Sequence, residues 1–348
     1  MKKWIITSAA VCGLIVSPLA ADHLKDSLHG LLKKKEETPS MVNLEGLDLN
    51  GRAKPIAPKT RSSKAVIATV DGHKIIKKEA DIYLAKRTKG KIKDFDLLPK
   101  KQRMELVKEL ALPILLAEHA QKELSAEEKE AVISRAWMQK AVMDAKVPEE
   151  ELKSAYEKIK AQATAKNPLQ QFPPYEKIKD RIKLQVGEQQ VIRKLLRGVD
   201  ISVDPSPTDQ IIGHVGMFPV SRDEVNKALQ KMTQGKMTWA TLPPSDKQRV
   251  LQMIAPAKLA ALNAESGLTK QQKDAVLANY WMQKSLAQTK VSEDEVKKRY
   301  AKIKKMSQKS KRKQKLPPLS EIEKSLKMQI AQEKIVGKLI KQAHIKLK

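Results

Sequence analysis

The amino-acid sequence predicts a mainly α-helical protein made of two tandem helical units, each with a small β-hairpin and a closing C-terminal strand. Aromatic residues make up only 3% of the 348 residues, while Lys, Glu, Ala, Leu and Gln are abundant. This composition favours helices over an all-β sandwich or barrel. The hydrophobic share of 41% is enough to form cores, so we do not expect the chain to be disordered as a whole.

An internal repeat is the second observation behind this prediction. An offset of 144 residues aligns residues 113–203 with 257–347 without a gap, and 29 of the 91 aligned positions are identical. The Trp-Met-Gln-Lys segment at 137–140, for example, recurs at 281–284. The chain therefore contains two homologous stretches of similar length.

The repeat sets the predicted domain boundaries. The first unit covers residues 65–204 and the second covers 212–348, and a Pro-rich linker at 205–211 joins them. We predict a flexible leader arm at residues 22–64, because residues 55–64 are rich in Pro, Ser and Lys.

Each unit shows the same predicted order of elements, and the first unit marks them more clearly. Asp71-Gly72 between two apolar runs predicts a β-hairpin. The second unit aligns Gly216 with Gly72 but departs from the hairpin pattern around that residue. Apolar residues at helical spacing predict five helices, and a short strand at 200–203 closes the unit. The signals that begin these helices are Lys77, Leu98-Pro99, a capping box from Ser125 to Glu128, Val147-Pro148 and Pro173-Pro174.

Residues 1–21 have the layout of a secretory signal peptide. A short basic start precedes an apolar run, small residues follow it, and we expect cleavage near Ala20 or Ala21. The prediction is an exported, periplasmic protein; an uncleaved anchor is the alternative, although the apolar run is short for a spanning helix. The single cysteine, Cys12, lies in this segment, so the mature chain is expected to lack disulfides and cysteine chemistry.

Three of these motifs resemble a known family. They are the segment from Val70 to Glu79, the helix openings with the pattern Val-x-Glu-x-Glu at Val147 and Val291, and a long final helix that ends in a strand. Together they resemble SurA-like periplasmic chaperones and their peptidyl-prolyl isomerase relatives, and the resemblance covers both units. It implies a tandem duplication of the N-terminal chaperone domain, with outer-membrane β-barrel precursors as clients.

The resemblance also locates what this chain lacks. Many family members carry a parvulin-type isomerase domain between the fourth and fifth helices. Here only about a dozen residues, 161–172 and 305–316, occupy that place, which is too few for a domain. The sequence contains no catalytic or nucleotide-binding motif, and its six histidines are not at metal-ligand spacings. We therefore predict that the protein is not an enzyme and uses no metal or cofactor.

Large, adaptable side chains are the first candidates for a binding site. Methionine and aromatic residues suit the promiscuous recognition of unfolded segments. The alternative is that these residues pack in the core, which their retention in both repeats fits equally well. The client-binding candidates are Trp137, Met138, Tyr156, Phe172, Trp281, Met282, Tyr300 and Leu316.

Positive charge is the second candidate feature. The chain has 68 basic and 40 acidic residues, a net charge of +28, and lysine greatly outnumbers arginine. Such a field favours anionic partners, but lysine lacks the planar fork that reads bases, so nucleic acid is not the expected partner. A predicted loop at residues 301–315 contains no acidic residue, and it could bind an anionic membrane or envelope surface or simply be solvated. Its basic residues are Lys302, Lys304, Lys305, Lys309, Lys311, Arg312, Lys313 and Lys315.

Three functional hypotheses follow from the sequence. The first is an exported, ATP-independent chaperone, or holdase, that binds unfolded secreted or outer-membrane proteins in an apolar cradle. The second is a non-catalytic basic protein that docks on anionic envelope components. The third, a prolyl isomerase, is disfavoured because the catalytic domain of the family is not visible.

Overall fold

The computed structural model describes residues 60–167, 171–204, 210–309 and 317–348. The predicted signal peptide, nearly all of the leader arm and most of the predicted linker lie outside these residues. Within them the chain forms ten α-helices and six short strands, and the strands form two small antiparallel sheets. This architecture confirms the predicted mainly helical fold with small β elements.

The first repeat contains the predicted hairpin, five helices and a closing strand. Its strands are β1 (Val66–Val70), β2 (His73–Ile76) and β3 (Ile201–Val203). Its helices are α1 (Lys77–Arg87), α2 (Lys100–Glu123), α3 (Ala126–Asp144), α4 (Glu149–Lys166) and α5 (Tyr175–Leu196).

The second repeat contains the same elements in the same order. Its strands are β4 (Ile211–Val215), β5 (Phe218–Ser221) and β6 (Ile345–Leu347). Its helices are α6 (Arg222–Thr233), α7 (Pro244–Gly267), α8 (Lys270–Gln288), α9 (Glu293–Lys309) and α10 (Leu319–Gln342).

The two hairpins have turns of different chemistry. Asp71 and Gly72 both have positive φ, as a type I′ turn requires, whereas Gly216 has positive φ at the first turn position, as in a type II′ turn. The strands and turn of the second hairpin follow those of the first by 145 residues, so Gly216 takes the place of Asp71. The sequence alignment of Gly216 with Gly72 is therefore wrong by one position.

The predicted capping box of α3 is confirmed, and α8 has its counterpart. The backbone N–H of Glu128 donates to the Ser125 hydroxyl at 3.1 Å, and the Ser125 N–H donates to the Glu128 carboxylate at 3.0 Å. Thr269 and Gln272 make the same pair of bonds at the start of α8, at 3.2 and 3.0 Å. These reciprocal bonds satisfy backbone donors in the first turn and fix where each helix begins.

Each closing strand pairs with the hairpin of the other repeat. Strand β3 of the first repeat lies antiparallel to β4, giving the sheet order β3-β4-β5. Strand β6 of the second repeat lies antiparallel to β1, giving the order β2-β1-β6. The sheets therefore join the front of one repeat to the back of the other.

The compact units of the structure follow this exchange. One unit contains residues 125–273, which are continuous in sequence, and we call it the contiguous unit. The other combines the described residues from 60 to 124 with those from 274 onward, and we call it the split unit. Each compact unit thus contains the front half of one repeat and the back half of the other.

The core of the contiguous unit lies between its sheet and α7. Strands β4 and β5 supply Ile212, Val215 and Val220, while α7 supplies Leu251 and neighbouring apolar residues. Helix α3 packs along α7 and against α5, where Gly187 allows a close approach to the Val142 backbone. The small residue at this crossing removes the side chain that would hold the two helices apart.

The split unit places an ionic network beside its hairpin. The Lys77 ammonium is almost fully buried and lies 2.9 Å from the Asp81 carboxylate and 2.8 Å from that of Asp94. The Arg61 guanidinium lies 2.5 Å from the carboxylate of Asp96. Because both cations are paired at short range, the cost of removing them from water is compensated.

The ion pairs of this network shift the pKa values of their members. Burial opposes the charged form of Lys77, but the hydrogen bonds and negative charges of Asp94 and Asp81 outweigh this effect, so the pKa of Lys77 is raised. For Asp96, burial likewise opposes ionisation, and the bonds and charge of Arg61 outweigh it and lower the carboxyl pKa. Both groups are therefore held in their charged forms by specific partners.

Candidate functional site

The two tryptophan candidates lie at equivalent places in the two compact units. Trp137 of α3 lies against the C-terminal end of α7, where the absence of a side chain at Gly267 leaves room for the indole ring. Trp281 of α8 lies against the C-terminal end of α2, and its indole N–H donates to the Glu123 carboxylate at 2.7 Å. Gly267 and Glu123 occupy the same position of the two repeats, so one tryptophan sits on a glycine and the other on a carboxylate.

The environments of Trp137 and Trp281 differ in polarity. Trp137 is partly exposed and contributes to an apolar cluster with Met138, Val191 and Ala260. Trp281 is only 6% exposed and its ring lies 5.4 Å from that of His119. His119 and Trp281 both hydrogen-bond to Glu123, and these bonds lower the pKa of that carboxyl although burial opposes them.

The methionine candidates next to the tryptophans are also largely inside the protein. Met138 is 7% exposed, and Met282 is partly buried. At this depth a client could reach Met138 or Trp281 only after local opening of the helices around them. The structure therefore places these side chains where core packing alone accounts for them.

The two tyrosine candidates make the same bond in both repeats. The Tyr156 hydroxyl donates to the Pro173 carbonyl at 3.1 Å, and the Tyr300 hydroxyl donates to the Pro317 carbonyl at 3.0 Å. Each bond ties the first helix of a helical hairpin, which we call an arm, to the paired prolines that precede its second helix. The first arm is α4 with α5, and the second arm is α9 with α10.

Aromatic packing distinguishes the first arm. Phe172 lies 5.5 Å from the Tyr156 ring, and Tyr175 meets the same ring edge-on at 5.5 Å. Leu316, the candidate that corresponds to Phe172, lies outside the described residues. The arm cores are otherwise equivalent, with Leu152, Ile182 and Val186 in the first and Val296, Leu326 and Ile330 in the second.

The acidic residues that begin α4 and α9 hold the arm helices together. Glu151 accepts bonds from Gln190 at 2.6 Å and Arg193 at 3.2 Å. Glu295, at the equivalent position, accepts from Lys334 at 2.8 Å. These contacts extend the role in helix capping and dipole stabilisation that their positions predict.

The basic candidates are only partly within the described residues. The prediction of a loop over residues 301–315 is wrong at its start, because α9 continues to Lys309. Lys302, Lys304 and Lys305 are exposed on α9, and none of them takes part in an ion pair described by the structure. The side chain of Lys309, and the whole of Lys311, Arg312, Lys313 and Lys315, lie outside the described residues.

Two exposed apolar residues that the sequence analysis missed occupy one position of both repeats. Leu184 of α5 is 41% exposed and Met328 of α10 is 54% exposed. They lie in the segments Lys-Leu-Gln and Lys-Met-Gln, off the apolar stripe that faces the other arm helix. Combining the repeat alignment with helical periodicity could have found them, because each apolar residue falls outside its stripe in both copies.

The other large apolar side chains that are exposed among the described residues lack this correspondence. Ile82, Leu97, Met143 and Met217 are also exposed. Their counterparts in the other repeat are a lysine, a threonine, an alanine and a glycine, in that order. Single exposed apolar residues are common on protein surfaces, so the paired position stands out from this background.

The described residues contain no group of three or more His, Cys, Asp or Glu side chains that could hold a metal ion. In the same part of the chain, no helix has the length and apolarity needed to cross a membrane. Helix α4 ends at Lys166 and α5 begins at Tyr175, so the connection between these two helices is short.

Comparison with known proteins finds no matching family model, no matching curated protein and no matching solved structure.

Proposed function

We propose that this protein is an exported, ATP-independent holdase that binds unfolded secreted or outer-membrane proteins. The observation that carries the proposal is the paired apolar position at Leu184 and Met328, exposed on the second helix of each arm. Exposed apolar side chains at one position of both repeats offer a client two similar contacts. The resemblance of the sequence motifs to SurA-like chaperones supports the same function.

The energetics suit weak, unselective capture. Covering the exposed part of one Leu or Met side chain contributes about 1 kcal/mol at about 25 cal/mol per Å². One such contact is too weak to hold a client, so binding requires several contacts along an extended chain. The lysines beside Leu184 and Met328, and the positive charge of the whole protein, accelerate encounter with acidic clients.

The test is the aggregation of an unfolded outer-membrane protein diluted from denaturant, followed by light scattering. Residues 22–348 are expected to suppress aggregation at near-stoichiometric ratio, both at low salt and near physiological salt. The variants Leu184→Ser and Met328→Ser are each expected to weaken client binding about fivefold, which corresponds to about 1 kcal/mol.

The matched controls are Gln185→Ser and Gln329→Ser, which change exposed residues next to the paired position. These variants are expected to behave like the parent protein. The holdase proposal fails if the parent protein does not suppress aggregation at physiological salt. If a protein that carries both Leu184→Ser and Met328→Ser still suppresses aggregation as the parent does, the client site lies elsewhere.

A second candidate function is docking on an anionic envelope surface through the second arm. The observation that favours it is the exposure of Lys302, Lys304 and Lys305 without acidic partners among the described residues. Cosedimentation with vesicles that contain an anionic phospholipid tests it. Binding that disappears at high salt, together with no protection of unfolded clients, would favour docking over chaperone activity.

A further inference from the structure

The split unit is joined by contacts between residues far apart in sequence. Strand β6 is antiparallel to β1, with Thr69 opposite Lys346 and Val70 opposite Ile345. The Lys348 N–H donates to the Ile67 carbonyl at 2.8 Å just beyond these pairs. The back half of the second repeat thus adds a hydrogen-bonded strand to the first hairpin.

Side chains reinforce the same association. The Arg61 guanidinium donates to the Lys348 carbonyl at 2.8 Å, and the His344 N–H donates to the Asp71 carboxylate at 2.8 Å. The Trp281 indole donates to Glu123, and α10 packs against α2. The front half, residues 60–124, therefore presents a docking surface for residues 274–348.

This docking surface already joins two different repeats. In the contiguous unit, β3 and β4 make the equivalent strand pair between the first and second repeats. There the pairing strands are close in sequence, because β3 ends at Val203 and β4 begins at Ile211. In the split unit, by contrast, the whole of residues 125–273 lies between the two halves.

We propose that a second copy of this chain can supply the missing half of the split unit. In this exchanged dimer, residues 274–348 of one copy dock on residues 60–124 of the other, and every contact of the split unit is kept. Exchange of identical elements between copies is a low-energy route to dimers because no new interface is required. The long connection favours exchange during refolding, because before residues 125–273 fold the effective concentration of the tethered half falls with about the −3/2 power of the connection length.

Two chains that cannot form the disulfide within themselves test the proposal. One chain carries Thr69→Cys and the other carries Lys346→Cys, and Cys12 is replaced by serine in both. The chains are unfolded together, refolded at high protein concentration and oxidised. The expected product is a mixed disulfide dimer that links position 69 of one copy to position 346 of the other.

The matched control uses Ser202→Cys in one chain and His214→Cys in the other, because these residues face each other across β3 and β4. In the unfolded chain, their short connection gives an effective concentration about a hundredfold higher by the same scaling, so pairing within one chain dominates during refolding. We expect at least about tenfold less mixed disulfide in this control. Equal yields in the two pairs, or no mixed disulfide at positions 69 and 346, overturn the proposal.

The unsubstituted protein provides a second measurement that does not depend on the cysteine variants. After refolding at high concentration, light scattering coupled to size exclusion is expected to show a species of twice the chain mass with unchanged helical circular dichroism. After refolding at high dilution, the species of single-chain mass should dominate. A single-chain mass under both conditions contradicts the exchanged dimer.

Discussion

The contiguous unit and the split unit are built from equivalent elements, but they differ at several positions where neighbouring atoms lie very close to the backbone. The contiguous unit has glycine at three such positions, Gly187, Gly213 and Gly267. The split unit has an alanine in place of the first two glycines and Glu123 in place of Gly267. The same fold is thus obtained once with close packing of small residues and once with larger or polar side chains.

The surroundings of helix α1 in the split unit and of its counterpart α6 in the contiguous unit show the same contrast in polarity. In the split unit, the Phe95 N–H donates to the Asp81 carboxylate at 2.7 Å, and Asp81 also pairs with Lys77. In the contiguous unit, the backbone N–H of Trp239 donates at 2.8 Å to the side-chain oxygen of Asn226, which occupies the place of Asp81. The hydrogen bond that positions the buried aromatic residue is kept, while the charge of its acceptor changes.

The largest expected effect is from Gly213→Ala in strand β4. A Cβ atom there would lie 2.5 Å from the Ser202 backbone oxygen and 2.6 Å from Leu251 Cδ1, so the strand pair must shift. We expect the free energy of unfolding of the contiguous unit to fall by about 3 kcal/mol, as overpacking of a core typically does. Urea unfolding followed by circular dichroism measures it.

The matched variant is Ala68→Gly at the equivalent place of β1. It removes a side chain that fits, and we expect a loss of about 1 kcal/mol from the split unit through added backbone entropy and lost packing. If Gly213→Ala is as mild as Ala68→Gly, the close approach of β4 to β3 does not distinguish the two units.

A smaller effect is expected from Gly267→Ala at the end of α7. The added Cβ would overlap the Trp137 indole, at 2.5 Å from Cδ1, but a side chain can move more easily than a backbone. We expect a loss of about 1–2 kcal/mol and a change in tryptophan emission as the indole is displaced. The neighbouring exposed variant Ser266→Ala serves as the control and should leave the emission unchanged.

The smallest effect is expected from Glu188→Gln, and it depends on pH. Burial raises the pKa of the Glu188 carboxyl on α5, and the second repeat has Gln332 at this position. Because the folded state binds the proton more tightly, the stabilising contribution is full below the ordinary pKa of 4.5 and is lost as pH rises through the folded pKa. Glu188→Gln should therefore raise stability at pH 7 and change it little at pH 4.

Urea midpoints measured at pH 4 and pH 7 check this expectation, with the exposed variant Gln189→Ala as a control on the same helix. A midpoint that rises equally at both pH values would assign the gain to packing or helix propensity, and the carboxyl charge would then have no part in it.

Much of the local structure could be predicted from the sequence. The Asp71-Gly72 turn, the Ser125 capping box and the paired prolines before α5 act through neighbouring residues, and the structure confirms each of them. The helix content follows from composition and periodicity in the same way. These signals are short-range, so they are readable in a single sequence without knowledge of the tertiary fold.

The position and exposure of the candidate site were harder to predict from the sequence. The sequence shows that Trp137 and Trp281 are equivalent, but it does not show that one indole packs on Gly267 and the other bonds to Glu123. It also gives no exposure, so Leu184 and Met328 were missed in favour of Met138 and Trp281, which the structure buries. Exposure depends on which helix covers which face, and that is set by contacts distant in sequence.

The sequence by itself determined the repeat, the order of the elements and the residues that begin each helix, because capping, turn geometry and periodicity are local. Only the tertiary structure decided which half of each repeat packs with which. Strand β3 lies close in sequence to β4, whereas β6 must meet β1 across residues 125–273. The repeats have similar sequences, so either pairing of halves satisfies the same local pattern, and long-range packing makes the choice.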